Sequence, residues 1–424
     1  MSSVLLSRFS DMGTATKQLK KVPELRFGGF NATWQSKKLQ NCLTLVVDNR
    51  GKTPPTKSKG IPMIEVNAIG NRDIDYSRVT KYVDQDTYNT WFRKHLAPED
   101  ILFSTVGATA LCSFYNGTNT SVIAQNIVGL RFKDIHKAFA YYLLTEPRNN
   151  HKFKRIQMSG VQPSVKVSQM IHLYFDVPEA AEQQKIADFL GSVDAWLDNL
   201  RQQKTVLETY KQGMTQKIFT QQVRFKDENE NDYTKWEEKR LGEIAKSVKG
   251  KGLSKEDIRK GGSYKCIRYA ELYTNYEEVI TDIVSETDIG PTGMVLSKRG
   301  DLLFPSSGET AEDIARFSSL TEEGVILSGD LNAIRFSEAA CSPFFAYYLS
   351  NHLNAEIAKF AQGNSVVHLY WSHFNKLTFK IPCFDEQVKI ADFLIDIDKT
   401  IIAKSEEIMN VEQWKKGLMQ KMFV

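Results

Sequence analysis

The sequence predicts an α+β protein: two globular α/β domains in tandem, joined by two long helices that pair as an antiparallel coiled coil about a pseudo-two-fold. Three observations predict it. A chain of 424 residues exceeds what one hydrophobic core supports. One segment occurs twice in close copy, and in both copies apolar residues recur at steps of three and four.

The segment from Glu182 to Phe219 begins EQQKIADFL and ends KQGMTQKIF, and that from Glu386 to Phe423 begins EQVKIADFL and ends KKGLMQKMF. The two align without a gap at a constant offset of 204. Looser similarity extends outward. Leu25-Arg26-Phe27 with Trp34 and Leu39 answers to Val223-Arg224-Phe225 with Trp236 and Leu241, and Asp100–Phe103 to Asp301–Phe304. Phe139–Leu143 answers to Phe345–Leu349, and Phe175 to Pro178 answers to Phe379 to Pro382. The unit is one variable globular domain followed by one closely repeated helix. We therefore divide the chain into an extension (1–20), a first domain (21–178), a first helix (179–222), a second domain (223–382) and a second helix (383–424).

In the first helix Ile186, Phe189, Val193, Trp196, Leu200, Leu207, Tyr210 and Met214 form a seam broken only at Gln203. The second shows Ile390, Phe393, Ile397, Val411, Trp414 and Leu418 on the matching row, with Ile401 and Ile408 beside it. Pro178 and Pro382 stand where a strand ends and a helix begins. About 40 residues at 1.5 Å each make a rod of roughly 60 Å. Alone, such a rod leaves its stripe in water, and its own repeat is the natural partner. Antiparallel pairing follows because a duplicated unit packing on itself adopts a two-fold. Gly213 and Gly417 inside the pattern point to close helix approach. The competing reading, each helix packed on its own domain as an ordinary core helix, accounts less well for near-identity of the helices beside divergent domains.

Composition is that of a globular protein: 42% apolar, 25% charged, and no apolar run long enough to span a membrane. The opening MSSVLLSRFSDMG lacks the basic start and cleavage site of a secretory signal. Cys42, Cys112, Cys266, Cys341 and Cys383 are scattered without a CxxC, which argues against a disulfide framework or zinc site and for the cytoplasm. The net charge of +4 is unevenly spread: residues 21–178 carry 21 Lys and Arg against 12 Asp and Glu, whereas residues 220–378 carry 19 against 24. The first half reads as a polyanion binder, while the second on bulk charge does not.

At the repeated (E)QxKIADFL…KxGxxQKxF segments the chain resembles the specificity subunits of bacterial type I restriction-modification systems, from about residue 23 to the C-terminus. Gly51-Lys-Thr-Pro54 with Gly60–Val66 resembles the start of a target recognition domain. Asp301–Phe304, Ser328–Asn332 and Gly363–Leu369 resemble its later landmarks. The extension before Pro23 and the acidic second domain depart from the pattern. The resemblance implies a non-catalytic subunit in which each domain reads half of a split site in double-stranded DNA. It also implies that the helices set the spacing and dock two modification subunits. Restriction/translocase subunits join that assembly, and S-adenosylmethionine, ATP and Mg belong to those partners, with no cofactor on this chain.

DNA-facing candidates follow from residue chemistry. In the first domain Arg50, Lys52, Thr53, Lys57 and Lys59 lie on a loop stiffened by two prolines and suit phosphates, although a solvated charged loop is the plain alternative. Asn67, Arg72, Gln125, Asn126, Gln162 and Lys166 are able to read base edges. In the second domain Lys246, Lys249, Lys251 and Lys255, with Arg259 and Lys260, form the one basic stretch of an acidic module. Arg268, Tyr269, Asn364, Ser365 and His368 supply further hydrogen-bonding groups. Tyr370 and Trp371 supply aromatic groups beside them, although a core role is the favoured reading of both.

Catalytic readings fail on the residues. Gly51-Lys52-Thr53 imitates a P-loop end, but position 46 is Val where the phosphate cradle needs Gly, and Pro54 obstructs a following helix. Asp227 with Glu237-Glu-Lys239 has the residue types of a metal nuclease but lies in a polar linker. No Asn-Pro-Pro-aromatic motif or glycine fingerprint provides for S-adenosylmethionine, and His368 and His373 lack companion ligands and read as satisfied structural or DNA-facing histidines. A coiled-coil scaffold binding only proteins is the remaining competitor. Steep salt dependence of binding to one preferred duplex separates a DNA reader from it.

Overall fold

The computed structural model describes residues 22–49, 51, 53–337, 339–363 and 366–424. They form two compact units. Unit one holds the described residues up to Leu200 together with Glu407–Val424, and unit two is Arg201–Glu406. The long helices are Ala180–Phe219 and Phe384–Met422, so each contributes one part to each unit.

Both helices start from the same local device. Pro178 and Pro382 close a strand, and the side-chain amides of Gln183 and Gln387 donate back to their carbonyls at 2.9 and 3.0 Å. The same side chains accept the backbone N–H of His136 and Cys341, which tether the domain helices that those residues precede. Glu182 and Glu386 stand in the first turn, where a carboxylate suits the helix dipole. Each is fully buried and is gripped at both oxygens by a guanidinium, Arg26 for Glu182 and Arg224 for Glu386. Those hydrogen bonds raise the pKa of both arginines, against the opposing effect of burial.

In unit one Ile186, Ala187 and Leu190 of the first helix join Met419, Met422 and Phe423 of the chain end in one core with Trp34, Phe103, Phe139 and Phe175. Further along, Val193, Leu197 and Leu200 form a separate cluster with Val411, and Trp414 meets the edges of Phe189 and Trp196, each at 6.4 Å. In unit two Ile218, Phe219, Ile390, Ala391 and Leu394 join the core of Trp236, Phe304, Phe344 and Phe379. Ile397 is buried and Leu207, Phe393 and Leu418 are half-buried. Leu190, Leu197 and Leu394 are buried beyond the seam read from periodicity, whereas Trp196 and Trp414 stay 45% and 47% exposed. At Leu190 and Leu394 the buried face is wider than a two-helix seam because it also docks on a globular core, whereas Leu197 is buried between the helices.

Each globular part carries a main antiparallel sheet. In unit one its order is Leu43–Val47, Ile127–Phe132, Ile101–Ser104, Cys112–Phe114. In unit two it is Ala245–Lys249, Leu331–Phe336, Asp301–Pro305, Ser318–Leu320, with Val279–Ile280 added in parallel at the edge. A smaller sheet flanks each, and a two-strand ribbon (Gln35–Lys38 with Tyr174–Val177; Glu237–Arg240 with Thr378–Ile381) leads into each long helix.

One element of the repeat needs correction. Matching FAYYL to FAYYL pairs Phe139 with Phe345. In the fold, Phe139 packs at 6.2 Å on Trp34 while Phe344 packs at 6.2 Å on Trp236. Phe139 thus corresponds to Phe344, and Tyr142 to Tyr347. The second domain helix is slipped by one residue against its motif because core position, not local identity, decides which ring points inward; a π-helical turn follows it at Tyr348–His352.

Candidate nucleic-acid interface

The same loop cluster is built in both units from backbone hydrogen bonds behind the main sheet's ends. In unit one Thr105 N–H donates to Asn126 O, Val165 N–H to Thr105 O and Gly107 N–H to Pro163 O. Thr53 joins by accepting from Gln125 Nε2 at 3.2 Å. Thr53, Gln125, Asn126, Gln162 and Lys166 therefore share one surface, with Gln162 and Lys166 exposed. Asn126 Oδ1 and Thr105 Oγ1 are buried there without a hydrogen-bond partner among the described residues.

In unit two Ser306 N–H donates to Asp330 O and Leu369 N–H to Ser306 O, which repeats the unit-one frame. Gly250 N–H and Lys251 N–H donate to Leu331 O and Leu327 O. A Cβ at Gly250 would lie 2.0 Å from Ser328 O, so only glycine lets this basic stretch close on the cluster. Lys249 pairs with Asp330, Lys251 N–H is held by Leu327 O and His368 lies against Ser307, so all three border the cluster, and Arg268 follows Ile267, whose carbonyl accepts Ser328 N–H. His368 Nδ1 is 3.1 Å from Ser307 Oγ, and its ring lies parallel to Tyr370 at 5.9 Å. Tyr370, read from sequence as core, is 43% exposed, whereas Trp371 packs on Phe374. His373, read as a satisfied structural or DNA-facing histidine, has a buried Nδ1 without a hydrogen-bond partner among the described residues.

Several candidates lie elsewhere or are already engaged. Lys57 pairs with Asp84 at 3.6 Å, Lys59 is exposed in a turn, and Asn67 donates to Arg78 O. Arg72 is half-buried within electrostatic reach of Tyr141 and Tyr142. Lys246 is exposed opposite Arg335, Lys255 opens a short 3₁₀ turn, and Tyr269 edges Tyr273. Arg268 Nε donates to Glu271, which is 2% exposed. Arg50, Lys52, Asn364 and Ser365 lie outside the described residues.

Sequence reasoning missed Thr105, Ser306, Ser307 and Asp330, which carry the frame. The one available signal was their place just after Asp100–Phe103 and Asp301–Phe304 and within Ser328–Asn332. Lys249 and Asp330, 3.5 Å apart and both exposed, form the kind of pair that contributes little and exchanges readily for a phosphate. Cations, hydroxyls and amides on turns of a rigid sheet are the residue types that position a duplex and read its base edges. Among the described residues no group of His, Cys, Asp and Glu is arranged to hold a metal, and no helix is long and apolar enough to cross a membrane.

The provisionally named MjaX specificity subunit of Methanocaldococcus jannaschii is 24% identical, covering 98% of this chain and 97% of its own. The type I restriction enzyme MjaIX specificity subunit of the same organism is 23% identical, covering 94% of each chain. Among solved structures, the type I restriction-modification S subunit from M. genitalium superposes with a TM-score of 0.55 at 16% identity, covering 95% of this chain and 99% of that one. The model of the type I restriction modification DNA specificity domain matches twice, at residues 31–209 and 233–413. The chain therefore belongs to the type I restriction-modification DNA specificity family, as a non-catalytic specificity subunit with two DNA recognition domains.

Proposed function

We propose that each unit reads one half of a split DNA target with its loop cluster, residues 21–178 and 223–382 being the two readers. The helices 179–222 and 383–424 are read as spacers that pair as an antiparallel coiled coil about a pseudo-two-fold. They dock two modification subunits that bind S-adenosylmethionine and methylate adenine. Restriction/translocase subunits, with ATP and Mg, complete the assembly in the cytoplasm. The observation that carries this reading is the duplication of the cluster: two surfaces of different side chains on one hydrogen-bonded frame suit two different half-sites. Contacts of Val193, Leu197 and Leu200 with Val411, and of Lys211 with Asp398, support the helix pairing. Half-sites on one face of B-DNA lie about 34 Å apart, which a rod of roughly 60 Å spans. The test is genome-wide mapping of methylated adenines with this chain present and deleted. A two-part motif that vanishes on deletion is expected, whereas an unchanged methylation pattern rejects the reading.

A further inference from the structure

In each unit three elements converge on one carboxylate. In unit one the hydroxyl of Tyr142, on the domain helix Lys137–Thr145, donates to Asp194 Oδ2 at 2.6 Å, and the ammonium of Lys415 bonds Asp194 Oδ1. In unit two the hydroxyl of Tyr347 donates to Asp398 Oδ2 at 2.6 Å, and Lys211 Nζ is 2.7 Å from Asp398 Oδ1. Domain, first helix and second helix each supply one member of both sets. Both tyrosines are 1% exposed.

The aspartates and lysines keep the offset of 204, the tyrosines stand 205 apart and the FAYYL motif stands 206 apart, one residue beyond its place in the core. The hydroxyl thus recurs at the same place in the fold although the FAYYL motif has moved beneath it. Burial, followed by the neighbouring aspartate, pushes the pKa of both tyrosines up, so each remains a donor.

Stability alone gives little reason for such a cluster, since apolar groups of the same shape serve a buried site as well as a buried ion pair. Direction is what it adds: apolar contact leaves a domain free to rock on a helix, whereas a hydrogen bond holds only over a narrow angle. The salt bridge of Arg26 to Glu182 already pins the unit-one domain at the helix start. Asp194 follows twelve residues later, about 18 Å along the axis. One pin is a pivot, whereas two pins that far apart fix the tilt. Arg224–Glu386 and Tyr347–Asp398 repeat the arrangement in unit two.

We propose that the Tyr142–Asp194–Lys415 and Tyr347–Asp398–Lys211 clusters are positioning devices: each fixes the angle of a recognition domain on its own helix segments and so holds the complex to a single spacer length. The inference rests on the two-half-site reading above. It assigns these residues no contact with bases.

The test uses the chain assembled with its modification subunits and maps methylated adenines for wild type, Tyr142→Phe, Tyr347→Phe and the isosteric Asp194→Asn. One base pair of spacer is about 3.4 Å of rise and roughly 36° of rotation, so a loosened domain reaches neighbouring spacers. In each variant that accumulates folded, the bases of both half-sites stay those of wild type. The share of methylated sites whose spacer is one base pair longer or shorter rises about tenfold, the effect of losing one charge-assisted hydrogen bond. Variants that methylate less, or melt lower, yet keep the single wild-type spacer overturn the inference and reduce the clusters to structural contacts. A wild-type motif without two parts instead overturns the reading on which it rests.

Discussion

Arg131 straddles Asp100 on the main sheet of unit one, its Nε and Nη2 each donating to one carboxylate oxygen at 2.8 Å, and Arg335 holds Asp301 in the same way at 3.0 Å. Each aspartate also accepts a backbone N–H three residues upstream, from Ala97 and Lys298. The acidic first residue of the repeated Asp-x-Leu-Phe landmark is thus a fully buried acceptor that ties a turn to a strand.

Asp100→Asn removes the charge under a guanidinium that stays largely in place. Breaking a buried pair costs several kcal/mol, and Arg131 is itself about one-third exposed, so a loss of about 2 kcal/mol is expected. Urea unfolding of the variant checks it, and an unshifted midpoint rules it out. Asp301→Asn is expected to act alike on unit two.

Lys249→Ala with Lys251→Ala removes two exposed cations from the unit-two cluster without disturbing its frame, since Lys249 contributes only a surface ion pair and Lys251 a backbone N–H. Affinity for every duplex falls, and the slope of log K against log salt decreases by about 2. Titrations at several salt concentrations measure the slope. If it is unchanged, neither lysine meets a phosphate.

Arg268→Ala has two separable effects. Glu271, 2% exposed, loses its charge partner and keeps Ser285 Oγ at 2.6 Å, so unit two weakens by about 1–3 kcal/mol. Specificity at the second half-site also relaxes. Adding Glu271→Gln removes the unpaired charge and restores stability but not base discrimination. Restoration of both assigns Arg268 to the fold alone.

These side chains show which part of the molecule the sequence made legible. The two helices, their start at Pro178 and Pro382 and the pairing of Glu182 with Glu386 were readable because a near-identical segment preserves spacing, and helical periodicity is a local signal. The partners were not. Arg26 meets Glu182 across 156 residues, and Tyr142 meets Asp194 across 52. Arg72 and Gln125 look equally suited to reading bases, yet strand order carries one toward Tyr141 and the other to Thr53. Leu190 escaped the seam because a two-helix template ignores the globular core on the same face, whereas Leu197, which clusters with Val193, Leu200 and Val411 of the other helix, belongs to the seam in place of the exposed Trp196.

The cysteines test the core directly. Cys42, Cys112 and Cys266 are buried, and burial pushes the thiols of Cys112 and Cys266 up to about 12 and about 11, whereas Cys341 and Cys383 are half-buried. A folded pKa above the ordinary thiol value means that the thiol form is favoured in the native state. The associated stability is present below about pH 9 and is lost as pH rises toward these values. At pH 8 a thiol-specific reagent is expected to label Cys341 and Cys383 first. The three buried thiols, with no access and, at Cys112 and Cys266, a thiolate fraction on the order of 10⁻³ or less, react only as the protein unfolds. Mass spectrometry of the labelled peptides over time reads the order. Prompt labelling of Cys112 in the native protein would mean that the sheet around it opens far more readily than its burial implies.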